Sequence, residues 1–207
     1  MTTRRDDVRR QALQNLKDYE VLMVDGHFDY GNGYHGQVYL NPHRLFRQPS
    51  AIWRFAQDVI DILPETVVAA TDVVVGPVMG GALLAHTVAG LMDGRRSLTH
   101  PQCAFAPISL DADGAAMIRT FYRTVVNEKG VLLVDDVRNT GKTFEKAKAL
   151  IESAGGHVIA TAQIYDRMEA IVDLGLPNYA LAEYKAPDNF LVADCPMCQR
   201  GVPITTF

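Results

Sequence analysis

VLLVDDVRNTGKTF, residues 131–144, decides the fold. Val131 to Val134 is a short, wholly apolar run of the kind buried on both faces of a parallel sheet. Two carboxylates follow it, Asp135 and Asp136, then a polar turn, and FEKAKALIESA resumes at helical spacing until Gly155-Gly156. The strand-like VIATAQIYD comes next, so the order is strand, loop, helix, strand. The same grammar stands upstream, where Asp72-Val73-Val74-Val75 leads through Gly76-Pro77-Val78-Met79-Gly80-Gly81 into ALLAHTVAGLM. Two such units predict an α/β fold, a doubly wound and mainly parallel sheet flanked by helices.

The flanks are less regular. MTTRRDDVRRQALQNLKDYE reads as a charged amino-terminal helix whose arginines form a solvated face. AIWRFAQDVIDIL, with Ile52, Phe55, Val59, Ile60 and Leu63 at helical spacing, predicts a second helix stopped by Pro64. Between them HFDYGNGYHGQVYLNPHRL is rich in turn formers and reads as small strands of a hood. Ala115 to Val126, after the turn-rich Leu110 to Gly114, reads as an extended arm or hairpin. At 207 residues we expect a single domain over 1–207, with 20–48 as the hood and 195–207 as a tail.

Composition narrows the classes. Hydrophobic residues at 48% and charged residues at 21% are ordinary globular usage, so a disordered or fibrous chain is not expected. A net charge of -4 speaks against a large nucleic-acid footprint. Neither a signal-peptide pattern nor an apolar run of membrane-spanning length is present, and three cysteines are too few for a disulfide scaffold, so a cytoplasmic protein with no membrane partner is expected.

In open α/β sheets ligands sit beyond the carboxyl ends of strands, where a helix start offers unpaired N–H groups to a phosphate. Asn139, Thr140, Gly141, Lys142 and Thr143 are therefore a candidate phosphate cradle: two hydroxyls, a glycine that admits close approach, and a cation. Asp135 and Asp136 are placed to meet sugar hydroxyls or a hydrated metal. Gly141-Lys142-Thr143 is not the end of a Walker A loop, which needs glycine where this chain has Asp136. The alternative is that the acids merely cap a turn before an ordinary helix. Gly76, Pro77, Val78, Met79, Gly80 and Gly81 form a second anion-ready loop, or simply a tight strand-to-helix turn.

VLLVDDVRNTGKT resembles the phosphoribosyl pyrophosphate (PRPP) motif of type I phosphoribosyltransferases. The resemblance to the orotate branch of that family extends through GHFDYGNGYHGQVYLN, VVVGPVMGGALLAHTVA, the sequence YDR at 165–167 and the terminal CPMCQRGVP. It implies phosphoribosyl transfer from PRPP to a nitrogen of orotate with Mg2+-bound pyrophosphate leaving, in a homodimer. On matching positions Asp135 and Asp136 hold the ribose hydroxyls, Asn139 to Thr143 the 5-phosphate, and Gly76 to Gly81 border the pyrophosphate. Arg167 meets the orotate carboxylate and Arg119 lies near an arginine of the mobile arm; apart from the resemblance, His35 of the hood is a candidate to sit over the base. Another acceptor such as a purine, and a non-catalytic PRPP-binding regulator, are the rival readings. The family's loop cation is missing: Ile108 stands near its place, and Gly31 and Gly80 stand where some members have lysine.

Two patterns tempt a metal reading. Cys195-Pro196-Met197-Cys198 is half of a zinc site, but without histidines nearby in sequence it reads as a structural turn. His27, His35 and His43 are evenly spaced but separated by Gly, Asn and Pro, and read as loop histidines. Tyr30, Tyr34 and Tyr39 either stack on a flat base or pack the hood onto the sheet.

Overall fold

A computed structural model describes residues 3–31, 33–96, 100–169, 172–185 and 187–206. The chain opens with α1 (Arg4–Asp18), whose start is a capping box: Asp6 N–H donates to the Thr3 hydroxyl and the Asp6 carboxylate accepts from Thr3 N–H. Its arginines are not all solvated, since Arg5 donates to the Leu63 carbonyl and Arg9 to that of Ala180. The hood follows as β1 (Leu22–Met23), β2 (Phe28–Asp29), β3 (Tyr34–Gly36), β4 (Tyr39–Leu40) and α2 (His43–Phe46). Next come α3 (Pro49–Ile62), α4 (Glu65–Ala70), β5 (Val73–Pro77) and α5 (Gly80–Arg95). The second half runs β6 (Ala104–Leu110), β7 (Ala116–Met117), α6 (Thr120–Val126), β8 (Gly130–Arg138), α7 (Lys142–Ser153), β9 (His157–Asp166), β10 (Asn178–Glu183), β11 (Phe190–Leu191) and α8 (Pro196–Gln199).

The main sheet has the order β10-β9-β8-β5-β6-β7 and is parallel except for the edge strand β7. Alternation along its apolar strands divides the core. Val74, Leu132, Val134, Ala160 and Ala162 face the side packed by α3 and α5, while Val73, Val75, Val131 and Leu133 face Phe144, Ala147 and Ile151 of α7. This is the doubly wound α/β architecture that the two strand-loop-helix units predict. Among the described residues no helix is long and apolar enough to cross a membrane.

Three expectations need correction. Strand β8 does not end at Val134 but continues to Arg138, so both acids lie within the strand; Asp135 pairs with Gln163 and Arg138 with Asp166. The arm splits: residues 116–117 do form a hairpin with β6, closed by Asp111 N–H on the Ala115 carbonyl, but Thr120–Val126 is helical, its Tyr122, Val125 and Val126 packed into the core. Ile108 is not in a loop; it is a buried residue of β6, paired with Pro77 and accepting from Val78 N–H. Its apolar side chain is what that core position requires.

The hood is also broader than a local segment. Strand β11, some 150 residues downstream, adds to β3 to give the three-stranded sheet β11-β3-β2, and the backbone around Thr205 pairs with residues 27–29.

Candidate active site

The carboxyl ends of β5, β8 and β9 meet the hood around a cavity of about 570 Å³. From the sheet it is lined by Pro77, Val78, Met79, Gly80, Asp135, Asp136, Asn139, Thr143, Tyr165 and Arg167, and from the hood by Tyr30, Val38, Tyr39, Leu40, Pro42 and His43, with Asn189 closing one side. A smaller cavity of about 110 Å³ opens beside it between Asp135, Val137, Arg138, Asn139, Thr140, Gly141, Thr143 and Phe144.

The turn at Asn139–Gly141 is built for close approach. Gly141 caps α7 in the left-handed region (φ 84°), which an L side chain adopts only with strain, and no side chain caps the first amides of the helix. Those amides and the positive end of a twelve-residue helix border the small cavity. Lys142 is placed elsewhere: it lines a neighbouring cavity of about 200 Å³ together with Ile108, Thr143 and Lys146.

The carboxylate pair is held by the backbone that bears it. Asp136 N–H donates to Asp135 Oδ1 (2.9 Å), and Val137 N–H donates to Asp136 Oδ1 (2.8 Å). Burial pushes Asp135 well above the usual carboxylate range, reinforced by the charge of Asp136, and burial raises Asp136 as well. Glycines of the neighbouring loop make room for them. A Cβ on Gly80 would run into Asp136 Oδ2 and the ring of Phe46, and one on Gly81 would lie 2.6 Å from Asp135 Oδ1. Gly80→Ala must therefore displace the Asp136 carboxylate. We expect the KM for the ligand that meets these acids to rise by about tenfold or more, with a stability loss of about 1–3 kcal/mol from overpacking. Initial rates and thermal unfolding of the variant check both.

Beneath the turn lies a polar network that the sequence reading does not contain. Arg138 forms a buried ion pair with Asp166 (3.0 Å) and donates to the Val172 carbonyl, while Gln163, Asn178 and the Met168 N–H all donate to the same Asp166 carboxylate. Arg167 follows Asp166 directly, its N–H on the Arg138 carbonyl, its guanidinium 2.9 Å from Glu169 at the cavity's edge. Burial raises the hydroxyl of Tyr165, which donates to the Tyr184 carbonyl.

The other sequence-derived candidates divide. Tyr30 and Tyr39 both line the cavity and stack with ring centroids 6.5 Å apart, whereas Tyr34 is not among its lining residues. Gly76 and Gly81 sit behind the loop rather than on the lining, whose Val78–Met79 peptide is cis. Arg119 is exposed at the start of α6 and lines none of these cavities. His35 is not over the cavity either; it is buried on the far side of the hood against His27, Cys195 and Cys198. His43 does line the cavity, a placement its even spacing with the other histidines conceals.

Comparison with known proteins agrees with this geometry. The model of the phosphoribosyl transferase domain matches residues 50–175. The orotate phosphoribosyltransferase of Erythrobacter litoralis is 30% identical over 195 residues, 94% of each chain, and that of Carboxydothermus hydrogenoformans is 28% identical over 88% of each. Among solved structures, the orotate phosphoribosyltransferase from Aeropyrum pernix superposes with a TM-score of 0.61 at 22% identity, covering 83% of this chain and 93% of that one. The Mycobacterium tuberculosis enzyme in complex with PRPP gives 0.58 at 16%, covering 86% and 89%. With a buried carboxylate pair and an anion-ready turn at the strand ends of a doubly wound sheet, and a family match over more than half its length, this chain belongs to the phosphoribosyltransferase family.

Proposed function

We propose that the chain transfers the phosphoribosyl group of PRPP to a ring nitrogen of orotate, releasing pyrophosphate and giving orotidine 5'-phosphate. One observation carries the reading: a single cavity joins the Asp135/Asp136 pair to Arg167 between the sheet and an aromatic hood wall. Arginine is the side chain that meets a carboxylate in a planar, two-pronged fashion, so its presence favours a carboxylated acceptor over a purine. Near-full-length likeness to orotate enzymes supports the same acceptor.

In this reading the amides and hydroxyls of Asn139 to Thr143 hold the 5-phosphate. Asp135 and Asp136 accept hydrogen bonds from the ribose hydroxyls, and their negative charge stabilises the cationic character that develops at the anomeric carbon. Gly80 and its neighbours border the departing pyrophosphate. Tyr30 and Tyr39 offer faces for a flat base and exclude water from it.

Mg2+ fits the site. Among the described residues neither acid takes part in a salt bridge, and burial raises both carboxyls, Asp135 also through the charge of Asp136, so a cation beside them would favour their ionised forms. When bound, the metal supplies positive charge to the pyrophosphate leaving group, with Asp135 and Asp136 as the residues that would hold it through water or directly. The proposal extends to one phosphoribosyltransferase domain spanning the chain and to the cytoplasm, as its length and composition suggest, and to a homodimer, as the family resemblance implies.

The test is pyrophosphate release from PRPP and Mg2+ with orotate, uracil, adenine, guanine or hypoxanthine offered in turn. Orotate alone should turn over. Arg167→Ala should lower kcat/KM for orotate by at least about a hundredfold, the scale of losing a charge-assisted pair inside a site, while PRPP binding persists. Turnover of a purine, untouched by Arg167→Ala, would replace the acceptor. PRPP binding without turnover of any base would replace the enzyme by a regulator.

A further inference from the structure

His27, His35, Cys195 and Cys198 converge at one point, their ligand atoms all within 4.8 Å of one another. They come from two distant segments. His27 immediately precedes β2 and His35 lies at the centre of β3, whereas Cys195 and Cys198 begin and close the first turn of α8. The expectation of an isolated Cys-x-x-Cys turn fails because its histidine partners lie more than 160 residues away in sequence.

The separations match those of ligands set tetrahedrally around an ion. With Zn–N near 2.0–2.1 Å and Zn–S near 2.3 Å, tetrahedral ligands stand about 3.3 Å apart N to N, about 3.6 Å N to S and about 3.8 Å S to S. Here His27 Nε2 lies 3.0 Å from His35 Nδ1, Cys195 Sγ lies 3.5 Å from His27 Nε2, and Cys198 Sγ lies 3.6 Å from His27 Nε2 and 3.3 Å from His35 Nδ1. The cysteines are free rather than disulfide-bonded.

The outer partners orient the rings for ligation. His27 Nδ1 is 2.9 Å from the Val202 carbonyl, which can only accept, so the proton of the neutral ring sits on Nδ1 and the Nε2 lone pair points into the cluster. His35 presents Nδ1 to His27 and Cys198, with its Nε2 on the side of the Asp29 carboxylate, 3.9 Å away. The two inward nitrogens, 3.0 Å apart with His27, His35 and Cys195 buried, share one proton as a hydrogen bond without an ion and can both turn lone pairs to an ion that enters.

We propose that these four residues bind one Zn2+ in a closed structural site that fastens the carboxyl-terminal tail to the hood. Two nitrogen and two sulfur donors suit zinc over Mg2+ or Ca2+, and four protein ligands leave no position for a substrate. Binding releases the two thiol protons to solvent, the thiolates balancing the metal's charge. The consequence reaches the catalytic cavity indirectly. The ion would lock β2, β3 and β11 together, and Tyr30 and Asn189, which line the cavity, flank those strands and meet each other through the Tyr30 hydroxyl at 3.3 Å.

The experiment is metal analysis of the untagged full chain by mass spectrometry, together with Co2+ substitution and thermal unfolding. One zinc per chain is expected, with a thiolate-to-cobalt charge-transfer band and tetrahedral d–d absorption in the cobalt form. Cys198→Ser should lower zinc affinity more than tenfold and depress Tm, whereas Cys103→Ser, at the remaining cysteine, should keep the full zinc content. Should Cys198→Ser not fold, the cobalt titration of the wild-type chain still decides. Wild-type protein that, reduced and offered equimolar zinc, binds none and shows no tetrahedral cobalt spectrum would overturn the proposal, as would a Cys195–Cys198 disulfide in protein isolated under reducing conditions. These readouts need no substrate, so their outcome is independent of the proposed transferase reaction.

Discussion

Replacing Asp135 and Asp136 together by asparagine should reduce pyrophosphate release by about a thousandfold or more while leaving a folded protein that is more stable than the wild type at neutral pH. Loss of one preorganised electrostatic group commonly removes a hundred- to a thousandfold in rate, and these two adjacent acids act as one unit, so their effects will not multiply. The stability gain follows from the sign of the pKa shift. Burial raises Asp135 well above its value in an unfolded chain, and raises Asp136 too. A raised carboxyl contributes stability that is fully present below the unfolded pKa and is lost as pH climbs through the folded pKa. At neutral pH the wild type therefore carries the stability penalty of those raised carboxyls, which asparagine does not. Each asparagine oxygen still accepts the backbone N–H bond made by its aspartate. A gain of about 1 kcal/mol, the usual yield of relieving a functional site, corresponds to a rise of about 2–4 °C in Tm for a chain of this size. It should vanish in acid, where the wild-type acids are protonated. Unfolding scans across pH, beside initial rates, measure both halves. A double variant that is less stable at neutral pH would show that the pair is held ionised without strain.

Much of this site was legible because its elements announce themselves locally. Val73–Val75 and Val131–Val134 are apolar without alternation, which a strand needs only when both faces are covered, and the acids stand where such a strand must emerge. What escaped was whatever depends on partners distant in the chain. Strand β8 outlasts its apolar run because ladder hydrogen bonds at Val137 and Arg138 join backbone to backbone and take no notice of side-chain polarity. Thr120–Val126 has the β-branched and aromatic residues of a strand, yet is helical because Tyr122, Val125 and Val126 gain burial on one helical face. The hood sequence makes His35 a candidate to face the base, whereas its partners are His27 and two cysteines that only the closed fold brings to it. Spacing along a chain reports local geometry and is silent about such meetings.

Asp166 is the residue whose loss should destabilise the chain most, although it lines no part of the main cavity. Asp166→Ala leaves the largely buried Arg138 without its ion-pair partner, and strands the donors of Gln163, Asn178 and Met168 that share the same carboxylate. Breaking a buried pair on one side generally costs about 3–5 kcal/mol, since the remaining charge keeps its desolvation penalty without compensation. For a chain of this size that is a drop of roughly 6–20 °C in Tm. Arg138→Met combined with Asp166→Leu removes both charges and should recover part of the loss, but not all of it, because Gln163 and Asn178 remain without an acceptor. Asp166→Asn, which keeps an oxygen in place, should lie between the wild type and alanine. The activity of the same variants separates two roles. Arg138 borders the small cavity and its carbonyl holds the Arg167 N–H, so a network that merely stabilises predicts normal KM values at temperatures where each variant is folded. A network that positions the turn and Arg167 predicts raised KM for PRPP and for the acceptor even there. The geometry favours the second outcome, because the same carboxylate anchors the last residue of β8 on one side and the backbone leading away from Arg167 on the other.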